Sequence, residues 1–199
     1  MTEVIIKIGW SIEHANQVAK LYEEAFGSKF CKAIRDKQAR IDVLSKCFCP
    51  GYSYVALVDG EIAGIAGFQT QSGSLTGGMN LRGLIGELGL LKGVWAGLVL
   101  SLFERQPQTR ELVMDGIVVD SKFRGRGLGS KLLDRIVRHA QEHGFESVRL
   151  DVIDTNPRAR KLYESKGFTA KHTEQFPYLK RLIGFSGATT MVFNVRKLA

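Results

Sequence analysis

Arg124-Gly125-Arg126-Gly127-Leu128-Gly129 is a short basic, glycine-rich turn between a β-branched segment and an amphipathic helix. Its three glycines carry no side chain that would keep a ligand from the backbone, and they permit φ values that other residues avoid. The first amides of the following helix have no partner within that helix, and its positive dipole end points into the same space. The turn therefore predicts a phosphate or pyrophosphate site, although a tight strand-to-helix turn with solvated arginines has a similar sequence.

The spacing within this turn separates it from two common phosphate-binding motifs. Gly125, Gly127 and Gly129 follow the pattern G-x-G-x-G, whereas a dinucleotide-binding fold has G-x-G-x-x-G close behind its first strand. Asp151 lies at about the distance downstream that a ribose-binding acid requires, but only one such unit occurs, late in the chain. A P-loop is excluded because no Gly-Lys-Ser/Thr follows the turn.

A second motif follows after one predicted helix and one predicted strand. It reads Asn156-Pro157-x-Ala159-x-x-Leu162-Tyr163-x-x-x-Gly167-Phe168, and it comes after Arg124-x-x-Gly127-x-Gly129. Together, in this order, the two motifs resemble the GNAT N-acetyltransferase family, most strongly over residues 110–170. The resemblance implies a GNAT-like acyl-CoA N-acyltransferase fold, with a mixed, mostly antiparallel sheet flanked by helices. It also implies direct transfer of the acetyl group of acetyl-CoA to a primary amine.

The resemblance implies that acetyl-CoA is the co-substrate and that a set of backbone and side-chain groups binds it. It implies no metal. The turn amides would hold the pyrophosphate of acetyl-CoA, and the strand before the turn would offer backbone groups to the pantetheine arm. A strand amide there can also stabilise the oxyanion that forms when an amine attacks the thioester. The cofactor-binding residues expected from the resemblance are Ile117, Val118, Val119, Arg124, Gly125, Arg126, Gly127, Leu128, Gly129, Ser130 and Asn156, the last of which is also a helix cap.

Two catalytic residues are expected. By the resemblance, Tyr163 would protonate the departing thiolate, since a phenol is neutral at pH 7 and can donate; a core tyrosine is the structural alternative. Asp115 is the candidate base because it lies in an apolar strand and shares alternation parity with Ile117 and Val119. A bulge at Gly116 would upset that parity. An Asp115 paired with a neighbouring arginine is equally compatible, and Asp151 or a water molecule is the other candidate base.

Composition limits the classes of partner. With 199 residues, 44% of them hydrophobic, residues 1–199 are expected to form a single domain. The net charge of +8 suits an anionic partner, but the basic residues are scattered without aromatic interleaving, so no nucleic acid is expected. A basic nucleic-acid-binding module and a non-catalytic coenzyme A sensor remain alternative functions. Three cysteines in no disulfide or zinc pattern, and no signal peptide, predict a cytoplasmic location.

The predicted elements follow the order β-α-α-β-β-α-β-α-β-α-β-β, an α/β layout. Ser11 is expected to cap a first helix that Gly27 ends near residue 26, and Ser28 to open a second helix that runs to about residue 48. Asp59-Gly60 between two apolar runs predicts a tight hairpin. His139 and His143 lack the zinc-protease pattern and are expected at the surface.

Residues 81–103 are nearly all apolar and are predicted as a helix, part of a helical insertion at about residues 79–105. Charges within the segment argue against stable membrane insertion, because charges at membrane depth are costly. Glycines three or four residues apart form a smooth stripe that another element can approach closely. A buried or substrate-cleft helix is favoured, with membrane association or a homodimer interface as alternatives.

The acceptor side is expected to be lined by the first two helices, residues 71–103 and the loop at 176–187. These segments are apolar and aromatic and show no acidic cluster, so a small, partly apolar amine or amino-acid derivative is the expected acceptor. The loop contributes Phe176, Tyr178, Leu179, Ile183 and Phe185.

Overall fold

A computed structural model describes residues 3–101, 106–175 and 185–195. Its strands are β1 (Val4–Ile8), β2 (Ser53–Val58), β3 (Glu61–Thr70), β4 (Gly73–Ser74), β5 (Glu111–Val119), β6 (Ser147–Ile153), β7 (Thr169–Gln175) and β8 (Gly187–Asn194). Its helices are α1 (Ala15–Phe30), α2 (Lys37–Cys47), α3 (Leu81–Leu88), α4 (Leu90–Ser101), α5 (Leu128–Glu142) and α6 (Pro157–Ser165). The predicted order is confirmed, with the short β4 added and the helix at 81–103 divided in two.

The strands form one mixed sheet in the order β1-β2-β3-β5-β6-β8-β7, with β4 beside β3. Among the described strands, only β5 and β6 pair in parallel. The predicted hairpin joins β2 and β3, and its turn residues Asp59 and Gly60 have φ values of 50° and 84°. Two positive φ values in a two-residue loop match the twist of the flanking strands. The predicted mixed, mostly antiparallel sheet is confirmed.

Two hydrophobic cores cover the two faces of the sheet. The α1-side core packs α1 to α4 on one face and includes Val18, Leu44, Ile65 and Leu84. The α5-side core packs α5 and α6 on the other face and includes Leu132, Ile136, Leu150 and Tyr163. The strands at the centre of the sheet therefore carry apolar residues on both faces, which is why β2 is buried along its whole length.

The boundary between α1 and α2 differs from the prediction. Gly27 does not end α1, and Ser28 does not open α2, which begins after Asp36 with the Asp36 carboxylate accepting from the Ala39 amide at 2.7 Å. Gly27 instead makes room for the Glu23 side chain, because a Cβ at position 27 would collide with the Glu23 carboxylate. That carboxylate accepts from Nε and Nη2 of Arg40 at 2.9 and 2.7 Å, a buried ion pair between the two helices.

The apolar segment after residue 80 is a hairpin of two short helices. Gly89, with φ +78°, separates α3 from α4. A Cβ at Gly93 would lie 2.6 Å from the Ile85 Cα, so this glycine lets the two helices touch, as the glycine stripe predicted. Among the described residues, no helix combines the length and the apolar character needed to cross a bilayer.

The sequence predicted His139 at the surface, and this prediction is wrong. The residue is buried, with 7% of its surface exposed. It follows Leu132 and Ile136 on the inner face of α5, and its Nδ1 lies 3.0 Å from the Tyr54 hydroxyl. Burial, followed by the positive charges of His143 and Arg135, lowers the pKa of His139 to about 4. The period of the helix, rather than residue type, decides this position.

Candidate active site

The parallel strands β5 and β6 separate along their length. β5 and β6 pair at Glu111↔Ser147, Leu112↔Val148 and Val113↔Arg149, and no further among the described residues. Beyond these pairs, β5 stays bonded to β3 and β6 stays bonded to β8. The carboxyl-terminal halves of the two strands therefore enclose a space, here called the β5–β6 gap, along which backbone groups of β5 can meet a ligand.

A bulge sits where β5 enters this gap. The register between β3 and β5 shifts so that Gly67 pairs with Gly116 but Phe68 pairs with Met114, which leaves Asp115 as the extra residue. A Cβ at Gly116 would collide with the Phe26 ring, so only glycine fits there. The bulge that the sequence left open at Gly116 is present, with Asp115 as the extra residue. The bulge also breaks the alternation that would have placed Asp115, Ile117 and Val119 on one face of β5. Asp115 lines a cavity on the α1 side, whereas Ile117 and Val119 pack against the α5-side core.

The glycine-rich turn lies at the carboxyl end of β5 and is open to solvent. Gly125 and Gly127 have φ values of +81° and +73°, and a Cβ at either would meet nothing within 4 Å. Arg124 donates from Nε to the Val119 carbonyl at 3.2 Å, and the Arg126 guanidinium lies 5.4 Å from the centre of the Phe123 ring. The turn thus presents its backbone, with two arginines held close beside it.

The first turn of α5 has no side-chain cap. Asp36, Asn80 and Asn156 cap α2, α3 and α6, whereas the N-cap of α5 is Gly127. No amide of residues 125–130 donates a hydrogen bond to another described residue. A helix start with free amides and a positive dipole end is an anion-binding arrangement.

Helix α6 meets both the turn and the gap. A Cβ at Gly129 would lie 3.8 Å from Leu162, 3.8 Å from Val119 and 3.9 Å from Ile117, so these elements converge there. Tyr163 follows Leu162 and is 7% exposed, and its burial raises the pKa of the phenol to about 12. Its hydroxyl is therefore protonated at neutral pH and able to donate.

Asn156 begins the same helix. Its Oδ1 accepts from the Ala159 amide at 3.1 Å, as expected of a cap, and the residue is exposed. Its additional role in cofactor binding stays a prediction.

A cavity of about 730 Å³ lies on the α1 side of the sheet, where the gap opens. Its walls come from α1, β3, residues 74–81, α4, β5 and β6. They include the first helix and part of residues 71–103, which the sequence predicted for the acceptor side. α2 does not line it, and neither does Phe185. Phe176, Tyr178, Leu179 and Ile183 lie outside the described residues.

Two carboxylates meet in this cavity, which the sequence did not predict. Asp115 lies in the bulge of β5, and Asp151 in β6 accepts from the Thr190 hydroxyl at 2.6 Å. Burial and the charge of Asp115 raise the pKa of Tyr22, which lines the same cavity. Each aspartate stands two residues beyond the last parallel pair, Val113↔Arg149. With that register known, the sequence would have predicted that the two aspartates lie at the same level of the two strands.

The comparisons with known proteins agree with this geometry. Residues 15–168 match the model of the acetyltransferase (GNAT) family. A thialysine N-epsilon-acetyltransferase of Bos taurus is 36% identical over 58 residues, which are 29% of this chain and 34% of that protein. The chain thus spans about a third of the length of this curated relative.

Solved structures match over nearly the whole chain. A crystal structure described as an acetyltransferase is 25% identical, with a TM-score of 0.64 over 96% of this chain and 99% of that one. A Salmonella typhimurium acetyltransferase, solved with its cofactor acetyl-CoA, is 19% identical, with a TM-score of 0.59 over 96% and 94%. The family resemblance carried by the two motifs is confirmed: this chain belongs to the acetyltransferase (GNAT) family.

Proposed function

We propose that this protein transfers the acetyl group of acetyl-CoA to a primary amine by direct attack. The observation that carries the proposal is the β5–β6 gap. It runs between an uncapped, glycine-rich helix start and a cavity that contains two carboxylates. An anionic donor and an amine acceptor are thereby directed toward the same opening in the sheet.

The turn suits the pyrophosphate of acetyl-CoA. The amides of residues 125–130 and the side chains of Arg124 and Arg126 would hold it, and Asn156 would add a contact from α6. Open space at Gly125 and Gly127 leaves room for close approach of the phosphates. The backbone of Ile117, Val118 and Val119 would bind the pantetheine arm in the gap. When bound, acetyl-CoA supplies an acyl group activated as a thioester.

The chemistry needs a base and a donor from this chain. An amine must lose a proton to act as a nucleophile, and Asp115, directly or through water, would accept it, with Asp151 as the second candidate. A β5 amide in the gap would stabilise the negative charge that develops on the acyl oxygen. Tyr163 would donate toward the departing sulfur, since its raised pKa keeps the phenol protonated.

Calorimetric titration with acetyl-CoA, followed by a thiol-release assay over classes of amine, tests the proposal. We expect saturable binding and release of coenzyme A that depends on the amine. A titration without saturable heat would overturn the acetyl-CoA site. Binding without release for any amine would identify a coenzyme A sensor instead of an enzyme.

The nucleic-acid alternative depends on Arg124, Arg126, Arg158 and Arg160. In the structure Arg160 pairs with Glu164 at 2.9 Å, and Arg124 is bonded to the backbone of β5. Salt-dependent binding to unrelated oligonucleotides would support that alternative, and the absence of binding at low salt would exclude it.

A further inference from the structure

Exposed apolar side chains are concentrated in the α3–α4 hairpin. Nine large apolar side chains of the described residues are exposed, and six of them lie between residues 81 and 98. These six are Leu81, Leu90, Leu91, Val94, Trp95 and Leu98. Single exposed apolar residues are ordinary on a protein surface, whereas a contiguous group marks a surface that a partner covers.

Most of this group lies on the side of α4 that points away from the protein. The opposite side of the helix contains Gly93 and Ala96, which are buried against the rest of the molecule. The exposed side, here called the outward face of α4, consists of Leu91, Val94, Trp95 and Leu98, which recur three and four residues apart. A helix that is apolar on both sides is typical of a buried or lipid-facing position, so this face is expected to be covered.

Basic residues border the outward face. Lys92 follows Leu91 on α4, Arg82 lies on α3, and both are exposed. A third exposed cation, Lys32, is close to Trp95, because the indole Nε1 of Trp95 donates to the Lys32 carbonyl at 3.4 Å. The acidic residue of the hairpin already pairs with a lysine of α2 at 2.6 Å. The border is therefore positive, as is the whole chain with its net charge of +8.

We propose that the outward face of α4 binds the surface of an anionic phospholipid bilayer. The helix lies in the plane of the interface, with its apolar side chains among the acyl chains and with Lys32, Arg82 and Lys92 at the lipid phosphates. With 12 residues, α4 is about 18 Å long, which suits a position along the interface rather than across the bilayer. The proposal does not depend on acetyl transfer.

Trp95 fits the boundary between lipid and water. Its ring is 56% exposed, while its N–H donates to the backbone of α1-adjacent Lys32. The ring can therefore enter an apolar phase without leaving a polar donor unpaired. Tryptophan is enriched at membrane interfaces for this combination of an apolar ring and one polar group.

Charge decides between a bilayer and a second copy of this chain. In a two-fold symmetric dimer the same surface meets itself, so the cationic border of one copy would face that of the other. Two proteins of charge +8 also repel each other, whereas an anionic bilayer attracts both the border and the whole protein. A bilayer also needs no pocket that matches the protruding side chains.

Co-sedimentation of the full chain with phosphatidylcholine vesicles, with and without phosphatidylserine, measures the binding. We expect saturable binding to the anionic vesicles, weaker binding to phosphatidylcholine alone, and a loss of affinity as the salt concentration rises. No binding to the anionic vesicles at low salt would overturn the proposal and leave the face to a protein partner. Equal binding to both vesicles would contradict the role of the cationic border.

Leu91→Ser and Ile12→Ser test whether the outward face makes the contact, because a basic protein can also bind anionic lipid through another surface. The two side chains are 86% and 89% exposed, and Ile12 precedes α1, whose length of about 24 Å separates it from Lys32. We expect Leu91→Ser to lower the vesicle partition coefficient about tenfold and Ile12→Ser to leave it unchanged. Equal partition coefficients for the two variants would overturn the proposal.

Lys92→Gln and Arg138→Gln test the border. Both remove one exposed cation, but Arg138 lies on α5, on the other side of the sheet. We expect Lys92→Gln to weaken binding to the anionic vesicles about fivefold, and Arg138→Gln to have little effect. Equal losses would show that net charge alone drives binding, which would contradict the assigned surface.

Tryptophan fluorescence reports the depth of the face. Trp10→Phe leaves Trp95 as the single tryptophan of the chain. We expect the Trp95 emission to shift to shorter wavelength on the anionic vesicles and to be quenched by lipids brominated on the acyl chain. An unchanged emission on bound protein would overturn the proposal, and so would a dimer in sedimentation that Leu91→Ser dissociates, since it would assign the face to a second copy.

Discussion

The glycine-rich turn, which we propose binds the donor, and the cavity, which we propose binds the acceptor, are built in opposite ways. The turn is a run of consecutive residues that presents backbone amides, and glycines leave it open to solvent. The cavity is assembled from side chains of α1, β3, residues 74–81, α4, β5 and β6, which are far apart in the sequence. The two regions therefore respond differently to substitution.

The largest effect is expected on the acceptor side. Asp115→Asn should lower kcat/KM by about 10²–10⁴-fold, because general base catalysis contributes that much, and should leave the Kd for acetyl-CoA unchanged. The rate of the variant should recover as pH rises and the free amine loses its proton without help. Steady-state kinetics across pH 6–10 measures both.

Asp151→Asn is the matched comparison, since Asp151 lines the same cavity and is bonded to Thr190. A smaller loss than for Asp115→Asn is expected. A full loss in Asp151→Asn beside normal activity in Asp115→Asn would transfer the role of the base to β6.

On the donor side, Gly127→Val should weaken acetyl-CoA binding about hundredfold, or about 2.7 kcal/mol. Gly127 has φ +73° at the start of α5, where a β-branched residue both strains the backbone and enters the open space. Gly144→Val is the control, with φ +70° and equally open space beyond the other end of α5. If both variants bind acetyl-CoA like the wild type, the turn is not the donor site.

The helix that carries the turn should also respond to pH. The folded-state pKa of His139, about 4, lies below the unfolded value of about 6.5, so its stabilising contribution is complete above pH 6.5 and is lost toward pH 4. Between pH 7 and pH 5 this amounts to about 2 kcal/mol of unfolding free energy. Urea titrations should show this pH dependence of the unfolding free energy in the wild type and its loss in His139→Gln. His143→Gln, a change at an exposed position, should largely retain it. Parallel slopes for all three proteins would be inconsistent with a buried neutral His139.

Tyr163→Phe is expected to have the smallest effect, about tenfold on kcat, with the Kd for acetyl-CoA unchanged. The effect is small because water can replace the phenol in part. Since the pKa of Tyr163 is about 12, its deprotonation should cause no loss of activity below about pH 11. Tyr54→Phe is the control, since Tyr54 is equally buried but bonded to His139. A normal kcat in Tyr163→Phe would remove the phenol from the mechanism.

The same contrast explains what could be predicted from sequence. The turn at 124–129 and the Asn156 motif are local patterns whose residue types favour a particular backbone conformation, so the open turn, the α6 cap and the order of elements were predictable. The meeting of Asp115 with Asp151 depends on a parallel register and a bulge, which no local pattern encodes. Gly27 has the residue type of a helix end, yet it makes room for the Glu23–Arg40 pair, a contact with another helix. Likewise, the period of α5 buries His139 although its residue type suggests the surface.

The central claim is that the two regions form one site across the β5–β6 gap. A conjugate that joins the sulfur of coenzyme A through an acetyl bridge to the nitrogen of hexylamine spans both regions, and its Kd can be measured by calorimetry. Because linked ligands pay the entropic cost of association once, we expect it to bind at least about hundredfold more tightly than coenzyme A. A Kd equal to that of coenzyme A would show that the turn and the cavity do not act on one pair of substrates.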